Sequence, residues 1–583
     1  MSEVKELTGY ATIDRPWMKF YPPMLMNLIK FEPQTIRQYL DNEREKRHLG
    51  LDRVMIEYYG SEFTWAQLYA ESDRIAKSLK VLGVKEGDQL PMFIRLVPEF
   101  LPLLLAAEKV GASLLARDNT LEENVDAVKK SGADMMFAHT YLSQDELKAY
   151  AAGGVKKAIL LDPLRSTKRE NLPDYIAAHL DTFTPDQPAS GDMTMTWDEF
   201  LALGDDYQGE VGVPADPERV LYRCYTSGST GPSKQVIHSA ANMIGILCQL
   251  NFWASGSEKR PVWLTAVLPS ALVAVVVCML LLPLASDNYT MISPFCAEED
   301  IDLEVMRTKP NGWSMIPEFC EVLMRSERIP ADYDLSHLVS TGAGSEALNN
   351  KQLHRMQKWL TDHKCQGRFT IGYGSSESGS GFTLPMSPQA YGDGMVNVPM
   401  PLSVVSVFKP GTTEELKYGE VGEICKMGPG NMMGYDIPEQ TAKALVKHPD
   451  GNIWLHMGDI GRMDENGVIY VMTRGESPRY GGGELWIQPM ENKVADADIA
   501  GIDDLFFVNV PDTEHEKCFL PYMFVILNEG YTVDDIREEV NAALAEHEHP
   551  VQIIPIKKRP FFHFKTDRIG LSKAILAGEY AEA

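Results

Sequence analysis

Residues Tyr225 to Gln235 read Tyr-Thr-Ser-Gly-Ser-Thr-Gly-Pro-Ser-Lys-Gln, a run whose parts suit the holding of a polyphosphate. Gly228 and Gly231 let the backbone turn tightly and bring its N–H groups close to an anion. The hydroxyls of Thr226, Ser227, Ser229 and Thr230 add hydrogen-bond donors, and Lys234 adds a mobile positive charge. The spacing departs from GxxxxGK[ST], so this is not the common P-loop. A polar surface turn has the same composition and stands as the alternative. Further groups recur downstream: Ser340-Thr341-Gly342-Ala343-Gly344-Ser345, Tyr373-Gly374-Ser375-Ser376-Glu377, Trp454-Leu455-His456-Met457-Gly458-Asp459, and Arg474 shortly after Tyr470. Taken singly, these read equally as a strand-to-helix turn, a polar turn, a β-turn acid and a solvated charge.

Together, in this order and over about residues 60–580, the segments resemble the adenylate-forming superfamily of acyl-CoA synthetases, peptide-synthetase adenylation domains and luciferases. The resemblance implies a two-step reaction. A carboxylate attacks the α-phosphorus of ATP, giving an acyl-adenylate and pyrophosphate, and a thiol of coenzyme A or of carrier-protein pantetheine then displaces AMP. It also implies that Thr226–Gly231 and Lys234 hold phosphates, and that Gly342, Ala343 and Gly344 pack along adenine. Tyr373, followed by Gly374, is implied to stack near the base, and Ser376, in place of a threonine, to face the α-phosphate. Glu377 is implied to ligate Mg²⁺, and Asp459 and Arg474 to reach the ribose. One carboxylate beside phosphate oxygens is enough for Mg²⁺, which keeps several of its waters.

The departures are as informative. Gln235 and Met457 stand where the family has glycine and threonine. The family's C-terminal loop reads Pro-Lys-Thr-x-x-Gly-Lys, and its second lysine reaches the reacting carboxylate. Here the loop is Phe564-Lys565-Thr566-Asp567-Arg568-Ile569-Gly570-Leu571-Ser572-Lys573. Without a gap Gly570 takes that lysine's place; aligned on Gly570, Leu571 does. Lys565 matches the family's other lysine, Arg568 lies nearby, and Lys573 is the first candidate for a catalytic substitute. Slow adenylation with an intact thioester step is therefore expected. The segment Leu268 to Val275 carries no acid, and an ammonium buried against it would be unpaired and costly. The small carboxylic acid substrate is accordingly expected to be an uncharged acyl or aryl acid. A stand-alone adenylation protein that loads a carrier, and a nucleotide-binding protein with degenerate catalysis, remain alternatives.

These groups must be positioned by more than one core, since the chain has 583 residues. A composition of 44% apolar and 23% charged residues is that of a globular protein, and a formal charge of −27 excludes nucleic acid or an anionic membrane as the main partner. The eight cysteines are scattered without a CxxC pair, which suits reduced thiols and a cytoplasmic setting. No basic-then-apolar leader opens the sequence. Val262 to Ala285 is almost uniformly apolar, but Pro269-Ser270 divides it into a strand and a helix rather than a membrane span. A capping box at Thr64-Trp65-Ala66-Gln67 opens a helix, and strand–helix alternation follows through Leu90–Leu96, Glu99–Val110, Met135–His139, Ala158–Leu161 and Met291–Ser293. The expected fold is α/β, with parallel sheets in a large N-terminal domain. A small β-rich subdomain begins near residue 400, with strands at Val404–Phe408, Val421–Met427 and Val468–Met472. We place the boundary after Arg474, giving an AMP-binding domain over 1–474 and a small α+β domain over 475–583; the resemblance implies that this small domain is mobile and hinged at Glu476. Within the latter, Phe506–Val510, Met523–Leu527 and Gln552–Ile556 read as strands and Thr532 as a helix cap.

Overall fold

The computed structural model describes residues 6–23, 25, 29–226, 233–254, 260–387, 394–475, 478–562 and 564–580. Thr64 does cap a helix, Trp65–Val81: its hydroxyl accepts the Gln67 N–H while the Gln67 side chain accepts from the Thr64 N–H at 2.8 Å. Trp65, Leu68, Ile75 and Leu79 form the buried face of that helix.

Two sheets rich in parallel strands make the body. One has eight strands, ordered from edge to edge Gly434–Tyr435, Gln235–Ser239, Val220–Tyr225, Ser113–Ala116, Gln89–Phe93, Met135–His139, Lys157–Leu161 and Thr194–Thr196. The other has seven, ordered Phe369–Ile371, Ser340–Ala343, Gly312–Met315, Val262–Ala266, Tyr289–Ser293, Val54–Tyr58 and Ser61–Thr64. Central strands such as Met135–His139 and Ser113–Ala116 are buried at every residue, because helices cover both faces of a parallel sheet. From Thr383 to Arg474 a third sheet is antiparallel throughout, and its longest strand, Ile453–Met463, runs unbroken through Gly458-Asp459. The aromatic N-terminal arm packs on this sheet, with the Tyr21 hydroxyl donating to the Pro399 carbonyl and Trp17 buried.

The apolar run from Val262 folds as expected, as a strand and then a helix, and no helix among the described residues is long and apolar enough to cross a membrane. The helix is widened: Val275–Leu281 is a π-helix that continues as Leu282–Ala285. Pro283 cannot donate a backbone hydrogen bond, and the Met279 carbonyl, four residues earlier, instead accepts from the Thr265 hydroxyl. Such wide turns occur often at functional sites.

After Gly475 the chain builds apolar clusters of its own. Leu485, Met490, Phe507, Met523 and Ile553 belong to one, and Phe506, Phe524 and Leu571 to a second, on the two faces of a three-stranded sheet Ile502–Pro511, Phe519–Leu527 and Gln552–Pro555. The helices are Ile487–Asp496, Val533–Ala543 and Arg568–Leu576. Gly481 and Gly482 both take positive φ, 55° and 84°, in the turn of a small hairpin. The face this part turns to the body is polar: Asn350 Nδ2 donates to Asp496 at 3.0 Å, Lys351 to the Ile502 carbonyl at 2.7 Å, and Arg355 meets Asp503 at 3.3 Å. Glu476, the expected hinge, lies outside the described residues.

Candidate active site

A cavity of about 870 Å³ lies at the C-terminal ends of the parallel strands, where turns leave the sheet and α/β folds bind ligands. Thr226, Gly342, Ala343, Gly344, Gly374, Ser376, Glu377 and Arg474 line it together, although they are spread over some 250 residues of sequence. Thr226 opens a hairpin loop between two antiparallel strands, Val220–Tyr225 and Gln235–Ser239. Its N–H donates to the Lys234 carbonyl at 2.9 Å, its hydroxyl accepts the Lys234 N–H at 3.0 Å, and the Ser233 hydroxyl donates to the Thr226 carbonyl at 2.6 Å. This neck closes the loop. Ser227, Gly228, Ser229, Thr230 and Gly231 lie outside the described residues. Gln235, the replacement for glycine, is buried and satisfied, donating to the Tyr225 hydroxyl at 3.0 Å and accepting from Arg223 at 3.2 Å.

Glu377 is nearly buried, and its Oε1 accepts the Tyr435 hydroxyl at 2.7 Å. Burial alone pushes its pKa up, but the Tyr435 hydroxyl and the Arg474 charge outweigh that and hold the carboxyl below the usual range. An ionised carboxylate has about four acceptor positions, so one bond to Tyr435 leaves capacity for a hard cation. The residues present therefore fit Mg²⁺. Lys234 does not line the cavity itself; its ammonium lies 5.0 Å over the ring of the same Tyr435. The Ser376 carbonyl is braced by the His238 ring at 2.8 Å. Tyr435 escaped the sequence reading, since a Gly-Tyr pair carries no signature and its role arises only when Gly434–Tyr435 joins the edge of the eight-stranded sheet.

Asp459 and Arg474 are directly opposed on neighbouring antiparallel strands. The Asp459 carboxylate is buried, accepts the Tyr373 hydroxyl at 2.8 Å and stands 3.7 Å from Arg474 Nε. Burial raises its pKa, against the opposing pull of Arg474 and Tyr373. Tyr373 and Asp459 are not among the residues lining the cavity; Arg474 is, and it carries their contact to the wall. Gly458, just before Asp459, is fixed from both sides: its N–H reaches Glu423 at 3.3 Å, and its carbonyl accepts the Gly475 N–H at 2.8 Å.

One branch of the cavity is apolar, with Trp263, Leu268, Ala271, Leu272, Val275 and Met279 in its wall. The C-terminal part contributes Phe564 and Lys565 to the lining. The sequence favoured Lys573, but that residue is exposed on the helix Arg568–Leu576 and is not among the lining residues. The chain turns helical directly after Asp567, whose side chain caps the helix, and this carries Lys573 away from the loop.

The profile of the AMP-binding enzyme family matches residues 43–436. Among relatives, a probable 4-coumarate–CoA ligase of Dictyostelium discoideum is 24% identical over 537 residues, covering 89% of this chain and 90% of that protein. A long-chain-fatty-acid–CoA ligase of Bacillus subtilis is 24% identical over 554 residues, 91% of each. ATP-bound MatB from Rhodopseudomonas palustris shares the fold with a TM-score of 0.74 at 20% identity, covering 93% of this chain and 99% of that one. The anthranilate CoA ligase AuaEII in complex with anthranoyl-AMP does so with 0.75 at 15% identity, over 95% and 98%. With the profile spanning more than half of its length and the fold shared from end to end, this chain belongs to the AMP-binding, adenylate-forming enzymes.

Proposed function

We propose that the protein is an AMP-forming acid–thiol ligase: it joins an uncharged carboxylic acid to ATP as an acyl-adenylate and passes the acyl group to coenzyme A. The observation that carries this reading is a cavity in which hydroxyl, glycine, carboxylate and arginine groups share the wall with the segment from Leu268 to Val275, which carries no acid. A nucleotide fits the polar end, and an acyl or aryl group the apolar end, where a charged amine would be left unpaired. Thr226, the following loop residues and Lys234 are assigned to the phosphates, Gly342–Gly344 and Tyr373 to the adenine side, Ser376 to the α-phosphate, and Asp459 with Arg474 to the ribose. Glu377 is assigned to Mg²⁺, which when bound neutralises phosphate charge. The chain's own contribution is position and preorganised charge, so that the carboxylate meets phosphorus in line. The boundary after Arg474 is proposed as the point about which the small domain turns between the half-reactions, and the polar face it shows the body suits such motion.

ATP–pyrophosphate exchange over hexanoate, decanoate, benzoate and 4-coumarate, with coenzyme A consumption followed in parallel, tests this reading. Acid-dependent exchange coupled to thiol consumption is expected. Exchange without coenzyme A use redirects the acyl group to a carrier protein, and no exchange with any acid, despite tight ATP binding, leaves a nucleotide-binding protein.

A further inference from the structure

The two positions at which the chain lacks the expected lysine are both occupied by structural duties. Gly570 donates its N–H to the Asp567 cap at 2.8 Å, and a Cβ built there would stand 2.1 Å from the Asp567 carboxylate. Leu571 is buried in the core of the C-terminal sheet. Arg568 is engaged by Glu346 and, at 2.9 Å, by Glu491. Lys565, unlike these, lines the cavity. It follows Phe564, whose φ of 62° is one that bulky residues rarely adopt, and it pairs across a short hairpin with Phe562. Its side chain lines the cavity with Glu377 and Arg474, and it is the sole lysine among the described lining residues. Burial and then Arg474 lower its proton affinity, and the charges of Glu346, Asp459 and Glu377 oppose them only in part. The loop that carries it is gripped from the body: Glu346, just beyond Gly342–Gly344, accepts both the N–H and the hydroxyl of Thr566 at 2.9 Å and pairs with Arg568.

We propose that Lys565 is the catalytic cation of adenylation in this chain, and that Glu346 is its positioning residue, holding the loop through Thr566 and Arg568. This rests on the ligase reading of the cavity. In the step concerned, a carboxylate oxygen forms a bond to the α-phosphorus. The bond from that phosphorus to the oxygen bridging to the β-phosphate breaks, and its electron pair leaves with pyrophosphate. No proton is transferred. Two anions must approach, so an ammonium beside both lowers the barrier to their contact. The thioester step begins from an adenylate already formed and does not need that cation.

Full-length wild type, Lys565→Ala, Lys565→Arg, Glu346→Gln and Lys573→Ala are compared in three measurements: calorimetric MgATP binding, ATP–pyrophosphate exchange with the four acids above, and thioester formation from synthetic benzoyl- and decanoyl-adenylate with coenzyme A. Lys565→Ala is expected to bind MgATP about tenfold more weakly and to lose about 100-fold or more in exchange. Its thioester formation should stay within about threefold of wild type. Lys565→Arg recovers part of the binding, and Glu346→Gln lowers the ratio of exchange to thioester formation at unchanged melting temperature. Wild-type MgATP affinity and exchange in Lys565→Ala overturn the assignment, as does equal loss of both half-reactions, the pattern of a merely structural residue. Loss of exchange in Lys573→Ala but not in Lys565→Ala overturns it too. If wild type binds MgATP yet activates none of the acids, the ligase reading fails, and the binding comparison alone then decides whether Lys565 faces the phosphates.

Discussion

Glu377 meets the Tyr435 hydroxyl on one side and the cavity on the other, so its charge can be removed without opening a hole. Glu377→Gln is expected to cost about 2–4 kcal/mol of transition-state stabilisation in Mg²⁺-dependent adenylation while leaving the unfolding midpoint unchanged. Unaltered turnover in the purified variant removes Glu377 from the site. Asp459 is held in place by Tyr373 and Arg474, and an ionised oxygen fixed in this way is suited to accept from ribose hydroxyls. Asp459→Ala is therefore expected to weaken ATP use by about 1.5–3 kcal/mol for each hydrogen bond lost. The check is 2′-deoxy-ATP: a wild type that does not distinguish it from ATP contradicts the ribose assignment. At this scale residue type and order picked out residues that the structure sets in or beside the cavity wall, as with Gly374, Ser376 and Glu377, or with Asp459 next to Arg474. The sequence was silent on Tyr435 and Glu346, and it named Lys565 only as the match to the family's other lysine. Glu346 grips Thr566 across 220 residues, a pairing that no local spacing encodes.

Local elements announced themselves where their signals are local. The capping box at Thr64, the strand Met135–His139 and the division of the apolar run at Pro269 all follow from neighbouring residues. The π-helix Val275–Leu281 depends on a hydroxyl from the preceding strand, and the unbroken strand Ile453–Met463 on antiparallel partners that hold it on both sides. The helix Ile487–Asp496 went unread although Ile487, Met490 and Val494 recur at helical spacing behind Pro489 in the first turn, whereas Arg568–Leu576 buries only Leu571 and shows no clear apolar period. This second helix makes a counterintuitive test. Gly570→Lys restores a lysine where the family has one, yet a side chain there displaces the Asp567 cap. The variant is expected to lose about 0.5–2 kcal/mol in denaturant unfolding and to gain nothing in ATP–pyrophosphate exchange. A severalfold faster exchange would mean that position 570 reaches the carboxylate after all.

As a whole the molecule combines a large body, whose strand ends build the cavity, with a smaller part that closes one wall through Phe564 and Lys565. The body was predictable from strand–helix alternation. How the smaller part sits was not, because its contact face is polar and carries no hydrophobic pattern. A net charge of −27 need not oppose a bound polyanion, since Arg117, Arg474 and Lys565 in the cavity wall outnumber the acids Asp118 and Glu377 beside them. Bond formation between a carboxylate oxygen and the α-phosphorus lies at the centre of the proposed function, and it leaves a permanent mark on the products. Benzoate, decanoate, hexanoate and 4-coumarate labelled with ¹⁸O in both carboxyl oxygens are each supplied with ATP, Mg²⁺ and coenzyme A, and the nucleotide product is analysed by mass spectrometry. The expected result, for at least one acid, is AMP carrying a single ¹⁸O alongside the acyl-CoA thioester; unlabelled AMP, or ADP and phosphate in its place, would contradict an acyl-adenylate.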